Sequence, residues 1–477
     1  MTTRRSKTRI GECIRLEDTS EHSVPADRLF GAAPVKDNTS YYARLSEQFI
    51  SANNKILRDF GIDALITLQG SRVRINFKSG IVIGAAPLLS PTSGRYEYGI
   101  VTHPRFAWLG LGPVFTQTGW KVTPELLRLP FLPTSEREIP RWLLSGTVLL
   151  RLETLLRSLN RQFSFAEADL PSPRGQIKWE RYALTKIPRL LMLDVPCRFP
   201  ELERDRDLQG AIHFALRKQL ASLETQRNAG TVVTALIELC RGLMVLVQHV
   251  PPHLPLGRQL RAWSRTRMSH EAFTNGVEAM EWTIENRGLA GMEDLRGLPW
   301  KMSMDSFYES WVETVLEIMC RRNGGILKTG RKRETIRPIA WDKPFLGSQK
   351  FLLPDFVIEH PNAFLVVDAK YKDHWEDLQV PWSKVEQEIR EGHRQDLHQI
   401  LSYSTLFDKR VITACLVYPC TDSTWSSLAD RERLCHRASI QAGSRRIDLL
   451  LTTFPFSRPA DEIAQKLGTQ FFSFDTN

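Results

Sequence analysis

No apolar run in these 477 residues is long enough to span a bilayer, which takes about 20 consecutive apolar residues. The best candidate, residues 232–250, is broken by Glu238 and Arg241 and reads as a buried helix. The basic start Met1-Thr2-Thr3-Arg4-Arg5-Ser6-Lys7 has no hydrophobic core behind it. No secretory signal is read there, and a cytoplasmic protein without a membrane partner is expected. Cysteine is sparse, odd in number and scattered: Cys13, Cys197, Cys240, Cys320, Cys415, Cys420 and Cys435, with no Cys-x-x-Cys pair. Free, mostly buried thiols are expected, because a cluster of Cys415, Cys420 and Cys435 lacks a clear fourth ligand. A Gly-x-x-x-x-Gly-Lys-Ser/Thr loop is also missing. The nearest stretch, residues 325–330, runs into Arg331-Lys332. The chain is therefore not expected to hydrolyse nucleotides by itself. Internal repeats and coiled-coil heptads are absent too.

What is present is an ordinary globular composition, 42% hydrophobic and 25% charged, with a net charge of +10. The isoelectric point near 9.3 fits a polyanion partner bound in a salt-dependent way. Two basic runs could contact phosphates or simply form solvated loops. One holds Lys328, Arg331, Lys332, Arg333 and Arg337; the other holds Arg258, Arg261, Arg265 and Arg267 around Trp263.

The length allows two or three domains. Residues 1–40 are polar and non-periodic, as in a flexible arm. Residues 41–130 read as a β-rich domain, opening with a helix over 41–60 and followed by strands at 65–68, 73–77 and 96–101. The proline-rich 129–140 reads as a linker. Residues 131–300 read as a mainly helical middle domain, with an amphipathic helix over 142–159. Residues 301–477 form the last domain. The fold class is multidomain α/β.

The densest chemistry lies near residue 355. In Phe351-Leu352-Leu353-Pro354-Asp355 the aspartate follows a proline, and thirteen residues later Asp368 ends the apolar run Phe364-Leu365-Val366-Val367. That run predicts a buried central strand. Residues two apart on a strand face the same way. Asp368 and Lys370 then project together from one strand end, opposite Asp355 on its neighbour. Two converging carboxylates suit a hard cation such as Mg²⁺ or Mn²⁺. The metal can generate hydroxide and stabilise a phosphoryl transition state. A lysine beside it can orient water or hold the scissile phosphate. The bland alternative is a hairpin with solvated polar tips.

The flanks add to this. Upstream, 304–316 predicts a helix with Phe307, Trp311, Val315 and Ile318 toward the core. Glu309 or Glu313 could reach the metal, although Glu313 reads more simply as a surface residue. Downstream, Asp396, Gln399 and Tyr403 share a helical face, with Leu397, Ile400, Leu401 and Leu406 behind it. That face could orient the lysine, the water or a phosphate, or be merely solvated. With a strand over 411–419, the order is an αββαβ core.

The pattern resembles the metal site of PD-(D/E)xK restriction-endonuclease-like proteins, and among them the McrC family, the nuclease subunits of modification-dependent McrBC-type restriction systems. The resemblance is carried by Phe307-Tyr308-Glu309, Pro354-Asp355, Asp368-Ala369-Lys370-Tyr371-Lys372, Asp396-Leu397-His398-Gln399 with Tyr403, and Val417-Tyr418-Pro419. Arg174-Gly175-Gln176-Ile177 and Val195-Pro196-Cys197-Arg198-Phe199 extend it upstream, so that it covers residues 171–455. One departure is visible: Gly210-Ala211 stands where the family carries an Asn-Arg pair. The resemblance implies a Mg²⁺-dependent DNA endonuclease working with a separate AAA+ GTPase motor. Glu309, Asp355 and Asp368 would hold the metal, Lys370 would position water or phosphate, and Gln399 and Tyr403 would support them. Lys328, Arg331, Lys332 and Arg333 are the candidate DNA contacts. The residues also admit a non-catalytic DNA-binding adaptor that activates an NTPase, or a standalone repair nuclease.

Overall fold

The computed structural model describes residues 13–31, 38–127, 129–130, 139–159, 164–201, 206–264, 271–285, 298–361, 363–372, 387–409, 411–443 and 445–472. They fall into two compact units. Residues 1–140, 229–232 and 295–477 form the first, and 141–228 with 233–294 form the second.

The first unit opens with β1 (Cys13–Glu17), β2 (Glu21–Pro25), α1 (Ala26–Phe30), α2 (Asn38–Asp59), β3 (Asp63–Gln69), β4 (Arg72–Lys78), β5 (Val82–Leu89), β6 (Tyr96–His103), α3 (Ala107–Gln117) and β7 (Glu125–Leu126). β2, β4 and β3 form an antiparallel sheet. β1 runs parallel to β6, which pairs antiparallel with β5. Phe49 of α2 packs with Phe60, Ile75, Phe77, Leu88 and Ile100 in a shared core. The segment before residue 40 is thus not a simple arm. Ile14 and Leu16 alternate inward with Arg15 and Glu17 outward, a strand period too short to stand out in a polar stretch. Residues 1–12 and 32–37 of the expected arm, and 131–138 of the expected linker, lie outside the described residues.

The second unit holds α4 (Arg141–Leu159), β8 (Ser164–Leu170), β9 (Gln176–Ile177), α5 (Trp179–Thr185), β10 (Val195–Glu201), α6 (Arg206–Glu224), α7 (Thr231–Val247), α8 (Gly257–Ser264) and α9 (Glu271–Ile284). Its strands form a sheet in the order β8-β10-β9, an addition to the helices expected there. α4 is buried all round from Trp142 to Leu149, so its first turns are core rather than amphipathic. α7 buries Val233, Leu236, Ile237 and Cys240 but exposes Val245 and Leu246. It is one-sided where the sequence suggested full burial. Gly210, at the departure from the family pattern, has a packing reason. A Cβ there would lie 2.2 Å from His253 Nδ1, and His253 N–H donates to the Gly210 carbonyl at 3.2 Å.

The chain then returns to the first unit. β11 (Trp300–Ser303) pairs antiparallel with β5 and β7, giving a five-stranded sheet in the order β1-β6-β5-β11-β7. It leads directly into α10 (Met304–Asn323), whose first turn Ser303 caps by accepting from Ser306 N–H. Gly84 allows this pairing. Its φ is +151°, and a Cβ would lie 2.2 Å from the Trp300 carbonyl oxygen and 2.8 Å from Lys301 Cα. Both obstacles are backbone, so no rotamer change relieves them. Gly84→Ala is expected to lower stability by about 2 kcal/mol or more, read as a reduced urea midpoint. A wild-type midpoint would contradict this.

The remainder comprises β12 (Ile326–Thr329), β13 (Arg337–Pro338), β14 (Phe351–Leu352), β15 (Phe356–His360), β16 (Ala363–Ala369), α11 (Gln387–Ser404), β17 (Val411–Tyr418), α12 (Asp422–Asp430), β18 (Cys435–Ala442), β19 (Arg445–Thr453) and α13 (Ala460–Phe472). A six-stranded sheet has the order β12-β15-β16-β17-β19-β18. β16, β17 and β19 are parallel at its centre; the outer pairings are antiparallel. Leu365, Val366, Val367, Ala414, Cys415 and Leu416 are fully buried, as expected of strands covered on both faces. α10 packs on α13. Its Tyr308 hydroxyl donates to the Phe454 carbonyl, and Trp311 Nε1 donates to that of Pro455 at 3.1 Å. All seven cysteines are free thiols, five of them buried. No helix among the described residues is long and apolar enough to cross a membrane.

Candidate active site

The antiparallel pairing of β15 with β16 sets Phe356 opposite Val367. Asp355, just before β15, therefore faces the end of β16, where Asp368 and Lys370 stand. Asp355 Oδ2 accepts the Ala369 backbone N–H at 2.9 Å. Asp368 is 1% exposed. Burial raises the pKa of both carboxyls, and for Asp355 the nearby Asp368 and Glu309 raise it further. Two acids this close resist sharing full negative charge without a cation.

Lys370 supplies part of that charge. Its Nζ lies 2.7 Å from Asp368 Oδ2 and donates to Gln399 Oε1 at 3.0 Å. Gln399 Nε2 in turn donates to the Tyr403 hydroxyl at 3.1 Å. Burial alone would lower the Lys370 pKa, but Asp368 outweighs it and the net shift is upward. The side chain is thus an ammonium at neutral pH. Even so, Asp368 Oδ2 accepts no hydrogen bond of good geometry. A buried carboxylate oxygen faced by an ammonium, yet without a well-aligned hydrogen bond, has the chemistry of a cation ligand. Among the described residues no group of three or more His, Cys, Asp or Glu is arranged to hold a metal. The Asp355–Asp368 pair still fits Mg²⁺, which commonly takes one or two carboxylates and completes its shell with water and phosphate oxygens.

Glu309 lies on α10, half-buried, with its pKa raised to about 7 by burial and by Asp305 and Glu313. Glu313 is not the surface residue expected. It is 1% exposed and accepts from Arg331 Nε at 3.0 Å and from a terminal guanidinium nitrogen at 2.7 Å. Lys121 Nζ stands 3.2 Å from the same carboxylate. Burial would raise the Glu313 pKa, yet these cations hold it below its ordinary value. The basic run is correspondingly divided. Arg331 pairs with Glu313 and Lys328 with Glu359 at 2.8 Å. The Arg337 guanidinium lies over Phe407, while Lys332 and Arg333 are exposed. In the other run, Arg265 and Arg267 lie outside the described residues.

The family model described as McrBC 5-methylcytosine restriction system component matches residues 132–419, more than half of the chain. The chain belongs to the McrBC family. Two solved assemblies are similar to it. One is a half-complex from a tetradecameric assembly of Thermococcus gammatolerans McrB AAA+ hexamers with bound McrC. It is 15% identical, covers 96% of this chain and 100% of that chain, and has a TM-score of 0.42. The other is the Thermococcus gammatolerans McrBC complex, 14% identical, covering 64% and 87% of the respective chains, with a TM-score of 0.27. No curated protein matches.

Within this McrBC-family chain the Asp-Gln-Tyr face of α11 divides. Gln399 reaches Lys370 and Tyr403 accepts from Gln399, whereas Asp396 is 3% exposed and serves Lys372 instead. Lys372 Nζ donates to Asp396 Oδ1 at 2.6 Å and the Tyr418 hydroxyl to Oδ2 at 3.1 Å. His393 Nδ1 is 3.3 Å from that hydroxyl. Sequence reasoning flagged Asp396 by helical spacing but missed its partners, because they sit on β17 and beyond the end of β16. It missed Lys121 altogether, which lies near no motif.

Proposed function

We propose that this chain is the DNA endonuclease subunit of its restriction system, with a PD-(D/E)xK-type core using Mg²⁺ or Mn²⁺. The observation that carries the reading is the meeting of Asp355, Asp368 and Lys370 at one sheet rim, with the buried Asp368 Oδ2 faced by the Lys370 ammonium at 2.7 Å. A bound cation would supply charge neutralisation at the phosphodiester and activation of water. Asp355 and Asp368 would hold it, with Glu309 on α10 near enough to raise the Asp355 pKa but not arranged with them as a three-carboxylate set. Lys370, protonated and steadied by Gln399, would donate to the phosphate as its charge develops. It would not serve as a base, because its pKa is raised. Tyr403 steadies Gln399. Lys332 and Arg333 are left to face the DNA backbone, with Lys328 and Arg331 near it but committed to carboxylates.

The substrate class we infer is DNA bearing 5-methylcytosine, following the family. The division into a β-rich N-terminal region, a middle domain and a nuclease domain from residue 301 belongs to the same proposal. A nucleotide-driven partner, an AAA+ GTPase, is also inferred, since this sequence has no phosphate-binding loop of its own. Leu184, Leu190 and Leu193 are largely exposed on the second unit. Such clustered apolar surface suits a protein contact.

A direct test uses cation binding. Mg²⁺ or Mn²⁺ at ten times its dissociation constant should stabilise the protein by about 1.4 kcal/mol, seen as a higher Tm. Asp368→Asn should lose both that rise and DNA cleavage. An equal rise in the variant would place the cation elsewhere, and undiminished cleavage would remove the catalytic reading.

A further inference from the structure

Tyr371 follows Lys370 and is 2% exposed. Its hydroxyl donates to Asp18 Oδ2 at 2.5 Å, across 353 residues of sequence. Asp18 is itself 1% exposed. Its second carboxylate oxygen accepts the Arg105 backbone N–H at 2.8 Å, and its own N–H donates to the His103 carbonyl at 2.9 Å. The turn after β1 and the end of β6 thereby fix the carboxylate in place. The Arg105 guanidinium covers the Tyr371 ring at 4.3 Å from its centroid, and Phe106 meets the ring edge-on at 6.0 Å.

This arrangement brackets the candidate active-site strand end. On one side the Lys370 N–H donates to the Val417 carbonyl at 2.9 Å, anchoring residue 370 to β17. On the other, the next residue is anchored to Asp18. A phenol donating to a buried carboxylate makes a charge-assisted bond, stronger than a neutral one. Neither β16 nor any helix end needs that bond for its own hydrogen-bond ladder.

We propose that Asp18 is a positioning residue for the nuclease site. Through Tyr371 it sets where Lys370 and Asp368 point. This rests on the nuclease reading above and extends it: the N-terminal sheet is part of the active-site framework. Groups that orient a site from outside its ligand shell commonly change metal affinity or activity about ten- to a hundredfold when lost.

The test uses the full-length chain with two readouts. Mn²⁺ affinity is measured by electron paramagnetic resonance without DNA, and kcat and KM by cleavage of methylated plasmid with the co-encoded AAA+ partner and GTP. Tyr371→Phe removes only the hydroxyl and keeps the ring beneath Arg105. It is expected to weaken Mn²⁺ binding and lower kcat, each by about tenfold or more, with KM for DNA unchanged. Asp18→Asn keeps the size and an acceptor oxygen, so it should show a smaller loss in the same two quantities. Combining Asp18→Asn with Tyr371→Phe should be no worse than Tyr371→Phe alone, because both act through one bond. Wild-type Mn²⁺ affinity and kcat in both single variants, with only a lower Tm, would make the pair purely structural and overturn the proposal. If the wild type binds Mn²⁺ at Asp368 but cuts no methylated plasmid even with the co-encoded AAA+ partner and GTP present, the nuclease reading fails, and the Mn²⁺ comparison still decides the role of Asp18. If it binds no Mn²⁺, both fall.

Discussion

Lys370→Ala is expected to reduce DNA cleavage by about a hundred- to a thousandfold, while leaving the fold and cation binding in place. Removing a positioned donor from developing transition-state charge costs on that order. The geometry also fixes the sign of the metal effect. Lys370 Nζ, 2.7 Å from Asp368 Oδ2, competes with any cation for that carboxylate. Its loss should leave Mn²⁺ affinity equal or higher, not lower. The paired measurement is single-turnover cleavage beside a Mn²⁺ titration. Weaker binding together with slower cleavage would mean that Lys370 holds the site together rather than acting on the phosphate.

Arg331→Ala is expected to cost stability, about 2 kcal/mol. It leaves the buried Glu313 carboxylate facing Lys121 Nζ at 3.2 Å. Breaking a fully buried pair costs roughly 3–5 kcal/mol. The smaller figure reflects that the Arg331 side chain is 41% exposed and the pair is partly screened. The pH dependence has a definite sign. The folded Glu313 pKa lies below its ordinary value. The pair's contribution is therefore complete above the ordinary carboxylate pKa and is lost as pH falls through the depressed one. Urea titrations at neutral and acidic pH should show the wild type losing more stability than Arg331→Ala. If Arg331 served only as a DNA contact, its removal would leave the urea midpoint unchanged.

The chemistry-bearing strand was legible because its signals are local. A four-residue apolar run ending in Asp-x-Lys states both burial and a polar rim, and β16 follows it. α10 was legible for the same reason: Phe307, Trp311 and Val315 recur at helical spacing and all are buried. Glu313 misled because its spacing from Glu309 describes a helix face but says nothing of what packs on that face. Lys121 and Arg331, far apart in sequence, decide its burial. Asp18 was invisible for a stronger version of this reason, since its partner is 353 residues away. The two strands before residue 25 are five residues each, too short for alternation to outweigh their polar composition.

The central claim is that this member of the McrBC family cuts DNA with the Asp355–Asp368–Lys370 site. The most direct measurement is cleavage of 5-methylcytosine-containing and unmodified plasmid with Mg²⁺. The wild-type chain is compared alone, with a co-encoded AAA+ partner plus GTP, and as Lys370→Ala with the same partner. Cutting of methylated plasmid that needs the partner and disappears in Lys370→Ala is the predicted result. Equal cutting by Lys370→Ala, or stimulation of the partner's GTPase with no cutting under any condition, would contradict it.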